Sequence, residues 1–122
     1  GGDVIEGPFD GEEGITLLAD LEAGIVGSMT SSLIPDLIRP IIINHRKGNR
    51  DLAKTVFHQV LPIIHHENRQ CGFRATKFAM MEGGVIKSDF SRHPVEPLSE
   101  GSKNILLSLM RPLNPVVLKW GR

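Results

Sequence analysis

The sequence predicts an α/β fold in which a strand, a helix and a second strand are followed by further helices. Ile15, Leu18 and Leu21 recur at three-residue steps and indicate the first helix. The apolar and β-branched run at residues 25–30 indicates the strand that follows it. Because the connections are short and carry no hairpin turn dipeptide, we expect parallel strands with a right-handed crossover. Such a unit belongs to a barrel or to a doubly wound sheet.

The first strand is expected at Val4 and Ile5, between two glycines, and the helix from Glu12 to Gly24. Acidic residues favour the first turn of a helix, and glycine commonly ends one. Two parallel strands alone leave both sheet edges unpaired, so neighbouring strands must come from other sequence or another chain. Since the chain begins at Gly1 without an initiator Met, we expect it to be a fragment.

The next predicted helix begins after Ser31 or Ser32 as its cap and ends at Gly48. Pro35 is tolerated in its first turn, whereas Pro40 is expected to kink it. Both prolines therefore fit one helix with a bend.

Three more helices are predicted in the second half of the chain. Asp51–Glu67 carries apolar residues at i, i+3, i+4, i+7 and i+8, with a kink expected at Pro62. Residues 73–81 are expected to be helical up to the glycine pair 83–84. After a proline-rich connector, the apolar stripe in residues 105–113 indicates a final helix.

Composition excludes several classes of partner. The chain has 14 Lys and Arg against 14 Asp and Glu, so no basic field attracts nucleic acid or an anionic membrane surface. Its apolar runs are far shorter than the ~20 residues of a membrane-spanning helix. Cys71 is the single cysteine and cannot form an internal disulfide, and the first residues do not resemble a signal peptide. We therefore expect a soluble, cytoplasmic protein.

Histidine and cysteine are common metal ligands, and His58, His65, His66 and Cys71 lie close in sequence. Adjacent histidines on a helix point about 100° apart, and no pair here has the H-E-x-x-H spacing that places two imidazoles on one face. We therefore expect no metal site. For Cys71 we favour a buried structural thiol over a nucleophile, which needs a setting that stabilises the thiolate.

The cationic side chains offer no obvious catalytic group. An amine nucleophile needs a lysine deprotonated by burial or nearby charge, and none of the lysines has such a setting in sequence. Even Lys119, with apolar neighbours, is expected to pack by its stem. Arg74 and Lys77 lie near a helix start, where positive charge opposes the dipole. They indicate a partner anion or, as we prefer, a salt bridge at a domain or subunit contact.

Two segments lie between the end of a strand and the start of the next helix, where parallel α/β folds bind ligands. Residues 7–13 offer backbone N–H groups and carboxylates to a polyhydroxy substrate, or form a turn with an acidic helix start. The hydroxyls of Ser28, Thr30, Ser31 and Ser32 could hold a substrate carboxylate or hydroxyl, or cap a helix.

These residues resemble the last two strands and trailing helices of the dihydrodipicolinate synthase and N-acetylneuraminate lyase family, over essentially the whole chain. Residues 11–13 are similar to the glycine and acidic residues after the family's seventh strand, and residues 24–31 to its glycine-punctuated eighth strand. Segments 72–77, 84–89 and 92–94 follow in the family's order. Their order and separation make the resemblance specific.

The resemblance implies a fold and an activity. The fold is α/β, the C-terminal portion of a TIM (β/α)8 barrel, with residues 1–48 as its last βαβα part and 49–122 as a C-terminal helical extension. Residues 67–72 are most similar to the family's sugar-acid dehydratases. The implied activity is that of a class I, Schiff-base aldolase or dehydratase acting on 2-keto-3-deoxy sugar acids. It needs no cofactor, and the full-length protein is expected to be a homo-dimer or homo-tetramer.

By the same resemblance, the Schiff-base lysine lies on the sixth strand, upstream of residue 1. The tyrosine that shuttles protons and the carboxylate-binding loop also belong upstream, and this chain contains no Tyr. The chain alone is therefore expected to be inactive, with a role in substrate binding only. The residues assigned to that role are Gly11, Glu12, Glu13, Ser28, Met29 and Thr30. The alternative is a small, non-catalytic helical interaction domain.

Overall fold

The computed structural model describes residues 6–113 of the chain. Two short strands and a helix form the first part, and four longer helices form the rest. The strands are β1 (Phe9–Asp10) and β2 (Gly27–Ser28), and the helices are α1 (Leu17–Glu22), α2 (Pro35–Arg46), α3 (Arg50–His65), α4 (Phe73–Glu82) and α5 (Glu100–Met110). A π-helix at His66–Cys71 joins α3 to α4, and a 3₁₀ turn at Arg111–Leu113 follows α5.

The strands pair in parallel, with Phe9 opposite Gly27 and Asp10 opposite Ser28, which confirms the predicted βαβ unit. The strand expected at Val4 and Ile5 lies outside the described residues. Phe9–Asp10 were assigned to a loop, and that assignment was wrong. Pro, Gly and Asp disfavour strands locally, but backbone pairing with the second strand overrides this preference.

The first helix begins at Leu17, five positions later than the predicted start at Glu12. The backbone of Glu13 has φ 60 and that of Gly14 has φ 92, which a right-handed helix does not accommodate. The residues before Leu17 therefore form turns. At the other end, Gly24 has φ 98 and follows the helix as predicted.

The second predicted strand, residues 25–30, pairs only at Gly27–Ser28. α2 begins with Pro35 in its first turn, as predicted, but neither Ser31 nor Ser32 caps it. The N-cap position is Ile34, and no side chain caps the helix start. The serine cap was therefore wrong, because the Ser31 hydroxyl bonds elsewhere. Pro40 lies inside the helix, where its carbonyl accepts a hydrogen bond from Asn44 Nδ2 at 2.8 Å.

α3 does not continue to Glu67 as predicted but changes to a π-helix after His65. The N–H of Gly72 donates to the carbonyl of Glu67 at 2.6 Å, across the five-residue spacing of a π-helix. The wider turn places His66, Glu67 and Cys71 toward the interior. The kinks expected at Pro40 and Pro62 remain predictions, although both prolines lie within helices.

The last two helices largely follow the prediction. α4 ends at Glu82, next to the glycine pair 83–84. α5 begins earlier than its apolar stripe, because the side chain of Ser99 accepts a hydrogen bond from the N–H of Ser102 at 3.1 Å and caps the helix. Lys119 lies outside the described residues. None of the helices in residues 6–113 is both long and apolar enough to cross a membrane.

The apolar core lies among the helices, and α2 packs against α3 as its centre. These two helices fall on opposite sides of the expected boundary at residue 48, and that division remains a prediction. The side chain of Glu22 ties α1 to α2 and α3. Its Oε1 accepts a hydrogen bond from Arg50 Nε of α3 at 2.7 Å and one from His45 Nε2 of α2 at 2.8 Å. The largest fully buried side chains are Leu17, Leu33, Ile34, Ile41, Val60, Ile63, Ile64 and Leu106.

Candidate functional site at the strand ends

A buried carboxylate joins the carboxyl ends of the two strands. Asp10 is only 4% exposed, and its Oδ2 accepts a hydrogen bond from Ser28 Oγ at 2.8 Å. Its Oδ1 accepts from the backbone N–H of Glu12, also at 2.8 Å. Both oxygens are thus satisfied within the protein, as burial requires. The role of Asp10 is to fix the strand ends and the turn that follows β1.

The loops after β1 and β2 contact each other. The hydroxyl of Thr30 donates to the carbonyl of Glu13 at 3.2 Å. Gly11 and Glu12 lie on the surface, and Glu12 Oε2 is 3.7 Å from Arg69 Nη2 of the π-helix. Because α1 begins only at Leu17, the two glutamates do not occupy its first turn, as the alternative interpretation of this segment required. They belong to a loop at the end of a parallel strand.

The predicted site residues of the second strand lie on two faces of the sheet. Side chains alternate along a strand, so Ser28 and Met29 point in opposite directions. Ser28 shares a face with Asp10, whereas Phe9 lies opposite Gly27 on the other face, toward which alternation directs Met29. Met29 is 66% exposed and Phe9 57% exposed. The described part of the chain therefore presents one apolar, uncovered sheet face and one covered face with a polar pair.

Gly27 is required for the position of Phe9. A Cβ atom built on Gly27 would lie 2.7 Å from Cε2 and from Cζ of the Phe9 ring, closer than non-bonded carbon atoms approach. The ring thus covers the backbone of the neighbouring strand. Phe9 was not among the predicted site residues. Its position opposite Gly27 places its ring on the uncovered sheet face.

Glu67 is a second buried carboxylate. The sequence offered it only as a member of the rejected metal cluster with His58, His65, His66 and Cys71, and not as a substrate-binding residue. It is 5% exposed, its Oε2 accepts from Ser31 Oγ at 2.8 Å, and its Oε1 accepts from the hydroxyl of Thr76. Burial raises the pKa of this carboxyl, the two hydroxyl hydrogen bonds counteract the rise, and the negative charge of Glu13 adds to it. One feature of the sequence could have indicated this buried acid. Glu67 lies on an apolar helical stripe, seven positions after Val60 and three after Ile64.

His66 and Cys71 form a structural contact with each other and with neighbouring residues. His66 Nδ1 lies 2.8 Å from Gln70 Oε1, and its Nε2 lies 3.2 Å from the carbonyl oxygen of Ser102. Cys71 Sγ is 3.5 Å from the same Nε2 and is 5% exposed, which confirms a buried thiol. Within residues 6–113 no group of three or more His, Cys, Asp and Glu side chains could hold a metal ion.

Arg74 and Lys77 were expected to pair with an anion, preferably in a salt bridge. In the structure Arg74 donates to the carbonyl oxygens of Glu96 at 2.6 Å and Cys71 at 3.2 Å, and Lys77 donates to that of Phe90. Neither pairs with a carboxylate in the part of the chain that the structure describes. Within the chain, these cations hold the connector against α4.

A parallel strand pair with polar loops at its carboxyl ends, packed on helices, is typical of a portion of an α/β fold, and such folds bind ligands at that edge. The model of the Dihydrodipicolinate synthetase family matches residues 8–112. The chain therefore belongs to this family, and the resemblance seen in the sequence is confirmed. The α/β class is confirmed with it.

One curated relative is an L-2-keto-3-deoxyarabonate dehydratase from Azospirillum brasilense. It is 52% identical over 120 residues, which are 98% of this chain and 39% of the relative. The chain thus spans about two fifths of the length of this relative. The similarity to the sugar-acid dehydratases is confirmed.

Two solved structures are similar. The dihydrodipicolinate synthase from Rhodopseudomonas palustris shares 28% identity at a TM-score of 0.78, covering 83% of this chain and 34% of that one. A monomeric dihydrodipicolinate synthase variant shares the fold at a TM-score of 0.71 and 19% identity, covering 84% of this chain and 34% of the variant. The matches are consistent with a portion of a TIM barrel.

Proposed function

We propose that this chain is the substrate-recognition portion of a Schiff-base lyase that acts on 2-keto-3-deoxy sugar acids. The observation that carries the proposal is the 52% identity, over 98% of the chain, to a dehydratase of such an acid. In the proposed reaction a lysine upstream of residue 1 condenses with the keto group and releases water. The resulting iminium withdraws electrons from the adjacent carbon, which permits dehydration or carbon–carbon cleavage.

The uncovered sheet face supports a barrel portion. In a TIM barrel the inner face of each strand packs against side chains of other strands, and the active site lies at the carboxyl ends. In a longer protein such strands would cover Phe9 and would enclose Met29, at the carboxyl end of β2, within the mouth of the barrel. Their exposure, 57% and 66%, is explained if further strands complete the sheet.

We propose the same six substrate-binding residues that the sequence predicted. Some of them contact the substrate, and others hold the loops in position. We expect the carboxylate of Glu12, which is exposed, and the loop at Gly11 and Glu13 to bind distal hydroxyls of a sugar acid. Met29 supplies an apolar wall. Ser28 and Thr30 act by holding the loops, since their hydroxyls donate to Asp10 and to the carbonyl of Glu13, respectively.

The assembly and cellular location of the full-length protein are part of the proposal. We expect a homo-dimer or homo-tetramer in the cytoplasm, with a small 2-keto acid as ligand and no nucleic acid partner. The alternative, a small interaction domain, draws on the unpaired edges of the two-stranded sheet. Family membership over residues 8–112 favours the lyase.

Trapping of the imine tests the mechanism. The chain and the full-length protein are treated with borohydride in the presence of pyruvate or a 2-keto-3-deoxy pentonate, and adducts are read by intact mass. We expect an adduct on the full-length protein alone. If neither protein forms one, the Schiff-base mechanism is wrong and only the fold stands.

Substitution of Glu12 tests substrate recognition. In the full-length protein, Glu12→Gln should lower kcat/KM for the sugar acid about tenfold while the rate of imine trapping with pyruvate stays within about twofold. Glu100→Gln is the matched control, because Glu100 is an exposed glutamate that forms an ion pair with Lys103 on the surface of α5. Equal loss of pyruvate trapping in Glu12→Gln would contradict the division between recognition and imine chemistry.

A further inference from the structure

The buried carboxylate of Glu67 has no part in the substrate contacts proposed above. Both of its oxygens accept hydrogen bonds from hydroxyls, Ser31 at 2.8 Å and Thr76 on α4. Within residues 6–113 no basic side chain forms an ion pair with it. Burial of a carboxylate without a cation costs free energy, so stability alone does not explain an acid at this position.

The bonds from Glu67 lead to the candidate site through Ser31. The Ser31 hydroxyl donates to Glu67 and also accepts from the backbone N–H of Leu33 at 3.2 Å, which closes the turn between β2 and α2. The preceding residue, Thr30, donates to the carbonyl of Glu13 in the other loop. A shift of Ser31 would therefore move both strand-end loops.

The π-helix that carries Glu67 is itself held in place by hydrogen bonds. It is held to α5, because His66 Nε2 lies 3.2 Å from the carbonyl oxygen of Ser102. The wide turn is closed by a hydrogen bond of 2.6 Å, which the N–H of Gly72 donates to the carbonyl of Glu67. The π-helix forms the C-terminal end of α3, and the chain leaves it at Gly72 with φ 65. Here the wide turn directs an acidic side chain inward.

We propose that Glu67 is a positioning residue that, through Ser31, holds residues 28–31 in the conformation that receives the distal part of a 2-keto-3-deoxy sugar acid. The inference rests on the proposed function and deepens it. Glu67 does not touch the reacting carbon. Its loss therefore weakens binding of the sugar acid and leaves imine formation at the keto group intact.

The test uses the full-length protein and three variants. Glu67→Ala and Ser31→Ala should each raise KM for the 2-keto-3-deoxy pentonate about tenfold, equivalent to about 1.4 kcal/mol, with kcat little changed. Glu67→Gln keeps an acceptor and a donor for the two hydroxyls, so its KM should stay within about threefold of wild type. The rate of borohydride trapping with pyruvate, which has no distal hydroxyls, should stay within about twofold in all three.

A stability control separates positioning from general loosening. Val60→Ala removes a fully buried side chain of α3 and should lower stability without raising KM. Unchanged KM in Ser31→Ala would overturn the inference even if Glu67→Ala does not fold, and so would an equal rise in Val60→Ala. If wild-type protein traps no pyruvate, the proposed function itself fails. Normal trapping with unchanged KM in the variants refutes only the role of Glu67.

Discussion

The helical and strand regions of this chain differ in how completely they bury themselves. In the helical region, side chains of α2, α3, α4 and α5 form an apolar core with many fully buried members, although Leu52, Phe73 and Ile105 are half exposed at its surface. In the strand region, two strands of two residues each leave Phe9 and Met29 exposed on one face. Helices satisfy their backbone hydrogen bonds internally, whereas a sheet needs neighbours on both edges. The strand region is therefore the part of the chain that depends on further strands.

The largest expected effect is on the helical core. In the 122-residue chain, Ile64→Ala should lower the free energy of unfolding by about 2–5 kcal/mol, because a fully buried side chain leaves a cavity. Met29→Ala, on the uncovered sheet face, should change it by no more than about 0.5 kcal/mol. Urea denaturation of the variants measures both. Similar costs would show that the sheet face is already covered, and the contrast between the regions would be lost.

An intermediate effect is expected within the strand region. Gly27→Ala should cost about 1–3 kcal/mol, since the new Cβ would lie 2.7 Å from the ring of Phe9, which must move away. In a Phe9→Ala background the same change should cost much less. A double-mutant cycle by urea denaturation measures the coupling. Equal costs in the two backgrounds would place the difficulty in the backbone of Gly27 and not in the ring.

The smallest expected effect depends on pH and lies where the two regions meet. The pKa of Glu67 in the folded chain is raised, above all by burial, from an ordinary 4.5. A carboxyl whose folded pKa is raised binds its proton more tightly when folded, so stability falls as pH rises from 4.5 through the raised value. Glu67→Gln removes this loss.

We therefore expect Glu67→Gln to be slightly more stable than wild type at pH 7, with the difference vanishing as pH falls to about 4. Urea midpoints measured for both proteins across this range test the prediction. A difference that is constant with pH would mean that the carboxyl is not the titrating group.

Sequence patterns were informative where one local signal decides the structure. The apolar stripe at residues 15, 18 and 21 indicated α1, and the glycine pair 83–84 marked the end of α4. Phe9 and Asp10 were assigned to a loop because their pairing with β2 depends on a tertiary contact between Asp10 and Ser28. The π-helix was missed because one wide turn hardly alters the apolar periodicity of the residues before it.

The candidate site shows the same division. Both strand-end loops are longer than predicted, because residues 12–16 were assigned to the first helix and residues 29–30 to the second strand. Which side chains of the two strands share a face depends on strand register, so the pairing of Ser28 with Asp10 could not be derived from the sequence. Glu67 comes close to this site only in the folded chain, 36 positions after Ser31.

The π-helix at His66–Cys71 sets the point at which the chain leaves α3, because Gly72 follows it with φ 65 and turns the chain into α4. One residue added within the π-helix rotates the residues up to this turn by about 100° around the axis. Removing one residue from this segment would let an ordinary α-helical turn form, but it would swing Thr76 away from Glu67. Relatives that differ in length by a single residue here should therefore present a different face of α4 to the substrate loops.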